Sequence, residues 1–153
     1  MTYSTSESTA TDNLMTTHNT YQDAIETVIA SLQQNDSAMV HHDQQEHLWK
    51  FQYGSVEIYV QLTGESDDDL LTVWSPVLKL PAKNETELMQ KLLEMNWGET
   101  LETRFGIMKE QVVVLTQRTV ADLSPGEISR AITLVATIAD DNDEKLKEEF
   151  GGS

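Results

Sequence analysis

The chain has 153 residues, enough for one domain with its own hydrophobic core, and its 39% hydrophobic and 24% charged residues are typical of a globular protein. Its 26 acidic and 10 basic residues give a formal net charge of −16, which disfavours binding to nucleic acids and to anionic membranes by electrostatic repulsion. The chain contains no cysteine, which excludes disulfides and thiol catalysis.

Both ends of the chain are predicted to lie outside the folded domain. Residues 1–18 are polar, rich in Ser and Thr and without periodicity, and we expect them to form a disordered tail. No signal peptide or membrane-length apolar run is found, so we expect a cytoplasmic protein without membrane insertion. A single domain is predicted over residues 19–147, and residues 148–153 are expected to be a flexible C-terminus.

The first helix is predicted at about residues 19–34. Apolar side chains recur there at helical spacing and form one stripe: Tyr21, Ile25, Val28, Ile29 and Leu32. Asn19 followed by Gln22 indicates a capping box at the start of this helix. The polar stretch QQNDSAMVHHDQQE at residues 33–46 has no comparable pattern and is predicted to be a connector.

An antiparallel hairpin is predicted from the sequence WKFQYGSVEIYVQL at residues 49–62. A two-residue turn at Gly54-Ser55 places six side chains on one side of the sheet: Trp49, Phe51, Tyr53, Val56, Ile58 and Val60. The same register places five others on the opposite side: Lys50, Gln52, Glu57, Tyr59 and Gln61. The turn and the apolar pattern agree, so the position of the turn predicts which residues face the core.

A third strand and a second helix follow. The strand is predicted at about residues 70–78, and Pro76, which has no N–H to donate, indicates that the strand lies at an edge or ends there. The helix is predicted to run from Asn84, with Glu87 completing a capping box, to Gly98. Its apolar residues are Leu88, Met89, Leu92, Leu93 and Met95, with Trp97 near its end.

The last part of the chain is predicted to form a second hairpin and a long helix. The hairpin spans about residues 102–118, with its turn near residues 109–110. The helix begins after Ser124, whose capping box is completed by Glu127. Its continuation at residues 140–150, DDNDEKLKEEF, is acidic and is expected to be exposed to solvent.

The predicted order of elements is therefore α-β-β-β-α-β-β-α. Runs of antiparallel strands interrupted by helices are typical of an α+β domain, in which helices pack on one antiparallel sheet. The fold predicted from the sequence is of this class.

No motif for catalysis or metal binding is found. An EF-hand loop starting at Asp140 fails because Lys145 stands where glycine is required. His41, His42 and His47 lie close together in sequence without an HExxH or CxxC motif, and we interpret them as surface residues. Hydrolase and phosphate-binding motifs are absent as well. The sequence predicts no catalytic residue, no metal site and no cofactor.

Five segments carry a resemblance to a known family: WKFQYGSVEIYV, LTVWSPVLKLP, the helix ending LLEMNW, ETRFGIMKEQVVVLTQRTV and DLSPGEISRAITLV. They span roughly residues 19–142, and with the order of elements they resemble the YbjN-like family, including its cyanobacterial members of unknown function. That family is similar in fold to the small acidic class I chaperones of type III secretion. The resemblance implies a dimeric interaction protein without chemistry of its own. It also suggests a client from the assembly of photosynthetic or carboxysome-shell complexes.

One sheet face is predicted to bind a client protein. Tyr59, Trp74, Lys50 and Gln61 are expected to share a mixed aromatic and polar surface that can anchor a peptide segment. The high negative charge favours a basic client segment. The alternative is that the second helix or a partner subunit covers this face.

The second helix is predicted to form a homodimer interface. Met89, Leu92, Leu93 and Trp97 are the expected contacts, because methionine adapts to varied surroundings and tryptophan anchors interfaces. Packing of the same stripe into the protein core is the alternative interpretation.

Three functions stay open at this point. The first is a non-enzymatic chaperone or assembly factor that holds a segment of a client protein. The second is a regulatory or sensory module that binds a small ligand in a pocket between sheet and helix. The third is an enzyme, which the absence of any catalytic motif disfavours, and we expect that the protein is not one.

Overall fold

The computed structural model describes residues 20–33 and 46–152 and the backbone of residues 39–43. Its helices and strands are, in chain order, α1 (Tyr21–Leu32), β1 (Met39–Asp43), β2 (Glu46–Tyr53), β3 (Val56–Leu62), β4 (Leu70–Lys79), α2 (Glu85–Gly98), β5 (Arg104–Met108), β6 (Gln111–Thr119) and α3 (Pro125–Phe150). The eight predicted elements are present in the predicted order, which confirms the α+β class. The predicted tail at residues 1–18 lies outside the described residues.

The strands form one antiparallel sheet in the order β1-β2-β3-β4-β6-β5. β1 corrects the prediction of a connector over residues 33–46, since it pairs with β2 from Met39 opposite Lys50 to Asp43 opposite Glu46. Its sequence, MVHHD, has no apolar alternation, and an edge strand needs little more than backbone hydrogen bonds to its neighbour. Periodicity in the sequence therefore could not reveal this strand.

The β2–β3 hairpin has the predicted register. Trp49 lies opposite Val60 and Tyr53 lies opposite Val56, and the chain turns at Gly54, whose φ is 57°. Five of the six side chains predicted to face the core are buried: Trp49, Phe51, Val56, Ile58 and Val60. The predicted division of the hairpin into two faces is confirmed.

All three helices pack on one side of the sheet. α3 lies across β3, β4 and β6, and α1 packs against α3 and β2. α2 contacts β5 and reaches the end of α3, where Lys91 Nζ lies 2.9 Å from Glu149 Oε1. The core between the layers includes the buried side chains of Ile25, Phe51, Val73, Leu88, Val112, Ile132 and Phe150.

β4 continues past the proline at which it was predicted to reach an edge or to end. It runs to Lys79, and its register with β6 shifts between Pro76 and Leu78. On its other side, the pairing of β4 with β3 extends only to Trp74, which lies opposite Tyr59. Pro76 therefore stands where β4 has lost one neighbour, and a residue without an N–H is tolerated at such an edge-like position.

Capping boxes start two of the helices. Thr20 and Asp23 form the capping box of α1. The box predicted from Asn19 and Gln22 is therefore shifted by one residue, and Asn19 itself lies outside the described residues. The predicted box of Ser124 and Glu127 starts α3. The Ser124 backbone N–H donates to the Glu127 carboxylate and lowers the pKa of that carboxyl below its ordinary value of 4.5.

The start of α2 differs from the prediction. Asn84 is in the left-handed conformation, with φ of 49°, and its side chain makes no capping hydrogen bond, so the predicted box with Glu87 is wrong. Glu85 turns back instead and accepts a hydrogen bond of 2.7 Å from the Ala82 N–H. The negative charge still lies in the first turn, where it is favourable to the helix dipole.

α3 continues to Phe150, three residues past the domain boundary predicted at residue 147. Phe150 is fully buried, and its carbonyl accepts a hydrogen bond of 2.7 Å from the Lys83 N–H. Asp143 and Leu146 are buried as well, which corrects the expectation that this acidic stretch is exposed throughout. The three residues are three and four positions apart, so they share one face of the helix.

Candidate functional site

The face of the sheet opposite the three helices is not covered by any helix in the described part of the chain, and we call it the open face. Along β2, β3 and β4, buried residues that face the helices alternate with residues that are partly or fully exposed. On these strands the side chains of the open face include Leu48, Lys50, Gln52, Glu57, Tyr59, Gln61, Thr72 and Trp74. α2 does not cover this face, because it packs beside β5 and the end of α3.

Tyr59 and Trp74 form a stacked pair at the centre of the open face. They lie directly opposite one another in the β3–β4 register, with ring centroids 5.3 Å apart and ring planes 9° apart. Both side chains are partly exposed. The structure places Trp74 beside Tyr59 on the surface that was predicted to bind a client.

Lys50 lies on the other side of the Tyr59 ring. Its Nζ is 5.7 Å from the ring centroid and 3.3 Å from Glu57 Oε2. The hydrogen bond to the Glu57 carboxylate is the main cause that raises the pKa of the Lys50 ammonium above its ordinary value of 10.5. Lys50 is therefore a charged neighbour of the aromatic pair whose own charge is balanced by Glu57.

Uncharged polar side chains flank the aromatic pair. Gln61 lies opposite Thr72, which accepts a hydrogen bond of 2.9 Å from Gln117 Nε2. Gln52 donates to the Gly54 carbonyl at 3.0 Å, which holds it against the hairpin turn. Lys50, Tyr59, Gln61 and Trp74, the four residues predicted for this site, are thus neighbours on two hydrogen-bonded pairs of strands.

Leu115 and Arg104 are among the residues of the open face that sequence reasoning did not place there. Leu115 lies opposite Trp74 in the β4–β6 register, and Arg104 lies opposite Leu115 in the β5–β6 register. Their place depends on a pairing between β4 and β6 that bypasses α2 and β5 in sequence. No local signal in the sequence determines such a pairing. Once the order of the strands is known, the alternation of side chains along each strand shows which residues lie on the open face.

The four residues predicted for the dimer interface separate into two pairs. Leu92 is only 5% exposed and Met89 is partly buried, so both side chains pack against the core, as the alternative interpretation describes. Leu93 and Trp97 are 69% and 92% exposed. The structure therefore keeps Leu93 and Trp97 as surface residues of α2.

An apolar surface adjoins these two residues. Leu101 and Ile107 are the other large hydrophobic side chains that are exposed in the described part of the chain. Ile107 and Leu93 line a small groove of about 250 Å³ between α2 and the edge strand β5. At the same edge, Asn96 hydrogen-bonds both the N–H and the C=O of Phe105 through its carboxamide. We call Leu93, Trp97 and Ile107 the α2 patch.

A larger groove lies between α1 and the start of α3. It has a volume of about 810 Å³ and is lined by apolar and hydroxyl side chains, among them Tyr21, Ala24, Thr27, Val28, Leu123 and Ser129. The Tyr21 hydroxyl at its margin donates to the Val120 carbonyl at 3.0 Å. The groove can take a small apolar molecule, and among the residues that the structure describes no charged side chain lines it.

A family model named YbjN, described as "Putative bacterial sensory transduction regulator", matches residues 21–148. The chain belongs to the YbjN family. The match runs from the start of α1 almost to the end of α3, and so includes both the open face and the α2 patch. No curated protein matches the chain.

Membership of the YbjN family indicates a regulatory or binding module. In the described part of this YbjN-family chain, no group of three or more His, Asp and Glu side chains is arranged to hold a metal ion. None of its described helices is both long enough and apolar enough to cross a membrane.

Proposed function

We propose that this protein is a cytoplasmic, non-enzymatic binding module that holds a segment of a client protein on the open face, as a chaperone or assembly factor does. The observation that carries the proposal is the stacked pair of Tyr59 and Trp74, which lies partly exposed in the middle of a sheet face that no described helix covers. This surface agrees with the regulatory or binding role that the family description indicates.

The chemistry of the open face suits a peptide segment. Aromatic rings provide apolar contact area with little loss of side-chain entropy, while Gln61, Thr72 and Gln117 can hydrogen-bond to a peptide backbone. Charged and polar side chains, among them Lys50 and Gln61, lie beside the aromatic pair and limit the continuous apolar area of the face.

The α2 patch supports a second proposal, that two copies of the chain form a homodimer. A tryptophan exposed to 92% next to a leucine exposed to 69% is unusual on a free surface, and such residues are enriched in interface centres. With α2 as the interface, the open faces of both copies stay accessible, because the patch and the stacked pair lie on opposite sides of the sheet.

The groove between α1 and α3 favours a second candidate function. Its volume of about 810 Å³ falls within the range of small-molecule sites, and its lining is mostly apolar with several hydroxyls. A sensory module that binds a small apolar ligand there would also agree with the family description. We favour the client-binding function because the open face combines aromatic, charged and hydrogen-bonding groups.

Photo-crosslinking in the native host tests the client-binding function. A benzophenone amino acid replaces Gln61 on the open face, and in a matched control it replaces Glu144, an exposed residue of α3 on the opposite layer. We expect one protein to be crosslinked at Gln61 and not at Glu144. The identity of that protein also tests the expected client from photosynthetic or carboxysome-shell assembly. Equal crosslinking at the two positions, or none at Gln61, would contradict the proposal.

A further inference from the structure

A single row of side chains crosses five strands of the open face. The registers place Lys50 opposite Tyr59, Tyr59 opposite Trp74, Trp74 opposite Leu115, and Leu115 opposite Arg104. Directly opposite residues of an antiparallel pair point to the same side of the sheet. We call these five residues the cross-strand row.

The composition of the row is ordered from end to end. A cation stands at each end, two aromatic rings and a leucine stand between them, and no carboxylate is part of the row. Four strand spacings separate the first residue from the last, which is about 19 Å. An extended peptide covers that distance with about six residues.

The two cationic ends differ in what surrounds them. Lys50 is paired with Glu57 at 3.3 Å and leans on the Tyr59 ring. Arg104 is exposed, and within the described residues it makes no ion pair. A partner that approaches the row therefore finds one end already neutralised and the other end with its charge unsatisfied.

The other two arginines of the chain are both paired with carboxylates. Arg118 is paired with Glu127 at 3.3 Å, and Arg130 is paired with Glu102. Of the ten basic side chains, all of which lie in the described part of the chain, five form ion pairs, and the unpaired ones other than Arg104 are lysines. Arg104 is thus the arginine of this protein whose planar donor fork is available to a carboxylate from outside.

We propose that the cross-strand row binds an extended protein segment of about six residues that lies across the strands, with aromatic or aliphatic side chains on Trp74 and Leu115 and a carboxylate on Arg104. The inference rests on the proposed client-binding function and specifies its partner. It differs from the basic client expected from net charge alone, because the local charge at the end of the row is positive. A basic segment attracted by the overall field is the competing outcome.

The experiment selects binders from a phage-displayed library of random heptapeptides on the immobilised full chain. A parallel selection on the Tyr59→Ala/Trp74→Ala variant identifies the sequences that depend on the aromatic pair. We expect those sequences to combine Trp, Phe or Leu with an Asp or Glu near one end.

The most enriched peptide is then synthesised, and its affinity is measured by fluorescence anisotropy. Loss of a charge-assisted bidentate contact in Arg104→Gln should weaken binding by about tenfold or more, and Arg104→Lys should weaken it less because the charge is kept. Arg118→Gln, an exposed arginine of the helix-facing side, is the matched control and should change the affinity less than about twofold. Thermal melting of each variant verifies that it is folded.

The outcomes separate this inference from the function on which it rests. Peptides that need the aromatic pair but are basic, or that bind Arg104→Gln as well as the natural chain, would overturn the acidic partner and leave client binding intact. A library that yields no sequence dependent on the aromatic pair would contradict both.

Discussion

Ser55, in the turn of the β2–β3 hairpin, is the residue that ties this hairpin to α3. Its N–H donates to Asp140 Oδ1 at 2.9 Å, and its hydroxyl lies 2.8 Å from Oδ1 of Asp143, a fully buried carboxylate. Lys147 Nζ approaches the same carboxylate at 3.4 Å. Gly54 is required beside it, since its φ is positive and a Cβ there would collide with Asp140. We call these contacts of Ser55 with Asp140 and Asp143 the latch. The latch fixes the position of the hairpin that carries Lys50 and Tyr59.

Ser55→Ala should lower the free energy of unfolding by about 1–3 kcal/mol, because Asp143 stays buried after it has lost the hydroxyl. Ser31→Ala is the control, since the Ser31 hydroxyl is exposed and donates only to the Val28 carbonyl. The control should change stability by less than about 0.5 kcal/mol. Denaturant unfolding measures both variants, and equal midpoints for the two would show that the latch contributes nothing.

The sequence could not reveal this latch. Asp140 and Asp143 stand in DDNDEK, which has the composition of a solvated helix surface. What buries Asp143 is a turn 88 positions away in the chain, and the sequence contains no local sign of that contact. The burial of a polar residue is decided by tertiary neighbours, whereas periodicity reports only on the element itself.

At the scale of elements, the last turn of α3 completes the core. Phe150 is fully buried, its carbonyl binds the Lys83 N–H, and Lys91 Nζ lies 5.9 Å from the centre of its ring. Both lysines are close to α2, one before it and one within it. The end of α3 therefore holds α2 in position, and with it the α2 patch.

Phe150→Ala should destabilise the protein by about 3–5 kcal/mol, the usual result of removing a buried phenylalanine. Glu148→Ala, two residues earlier and exposed, is the control and should have little effect. Chemical denaturation monitored by circular dichroism measures the difference. A chain that ends at residue 147 and melts at the natural temperature would show that this turn lies outside the folded domain.

Local patterns in the sequence predicted every element of the sheet and helices except β1, and they misplaced the capping of α2. The hairpin around Gly54 combined alternation with a turn signal, and the start of α3 was marked by the capping box of Ser124 and Glu127. β1 had neither signal, and Asn84 matched a capping pattern that its left-handed backbone does not use. The open face followed from the hairpin register, but Arg104 joined it only through the order of the strands.

At the scale of the whole molecule, net charge and the α2 patch act against each other. Two copies that each carry a net charge of −16 repel one another. Burial of the Leu93 and Trp97 side chains between the copies favours association through the hydrophobic effect. Salt screens the repulsion and leaves the apolar contact unchanged. A dimer formed through the α2 patch should therefore become tighter as the salt concentration rises.

Light scattering at micromolar concentration should give twice the 17.2 kDa mass of the chain for the natural protein. Leu93→Ser with Trp97→Ser should give the mass of a single chain, and because both side chains are largely exposed, its melting temperature should change little. Trp74→Ala on the open face is the control and should stay dimeric. A natural protein of single-chain mass, or a dimer that survives the double substitution, would contradict the α2 interface.

The central claim, that the open face binds a client, is tested most directly by Tyr59→Ala with Trp74→Ala, measured for capture of the client crosslinked at Gln61 and for melting temperature. Loss of a partly exposed stacked pair should cost about 1–2 kcal/mol, a fall of roughly 2–8 °C for a chain of this size. We expect capture to be lost although the variant stays folded at the temperature of the assay. Capture that persists, or a fall in melting temperature as large as that of the core variant Trp49→Ala with capture lost only through unfolding, would contradict the claim.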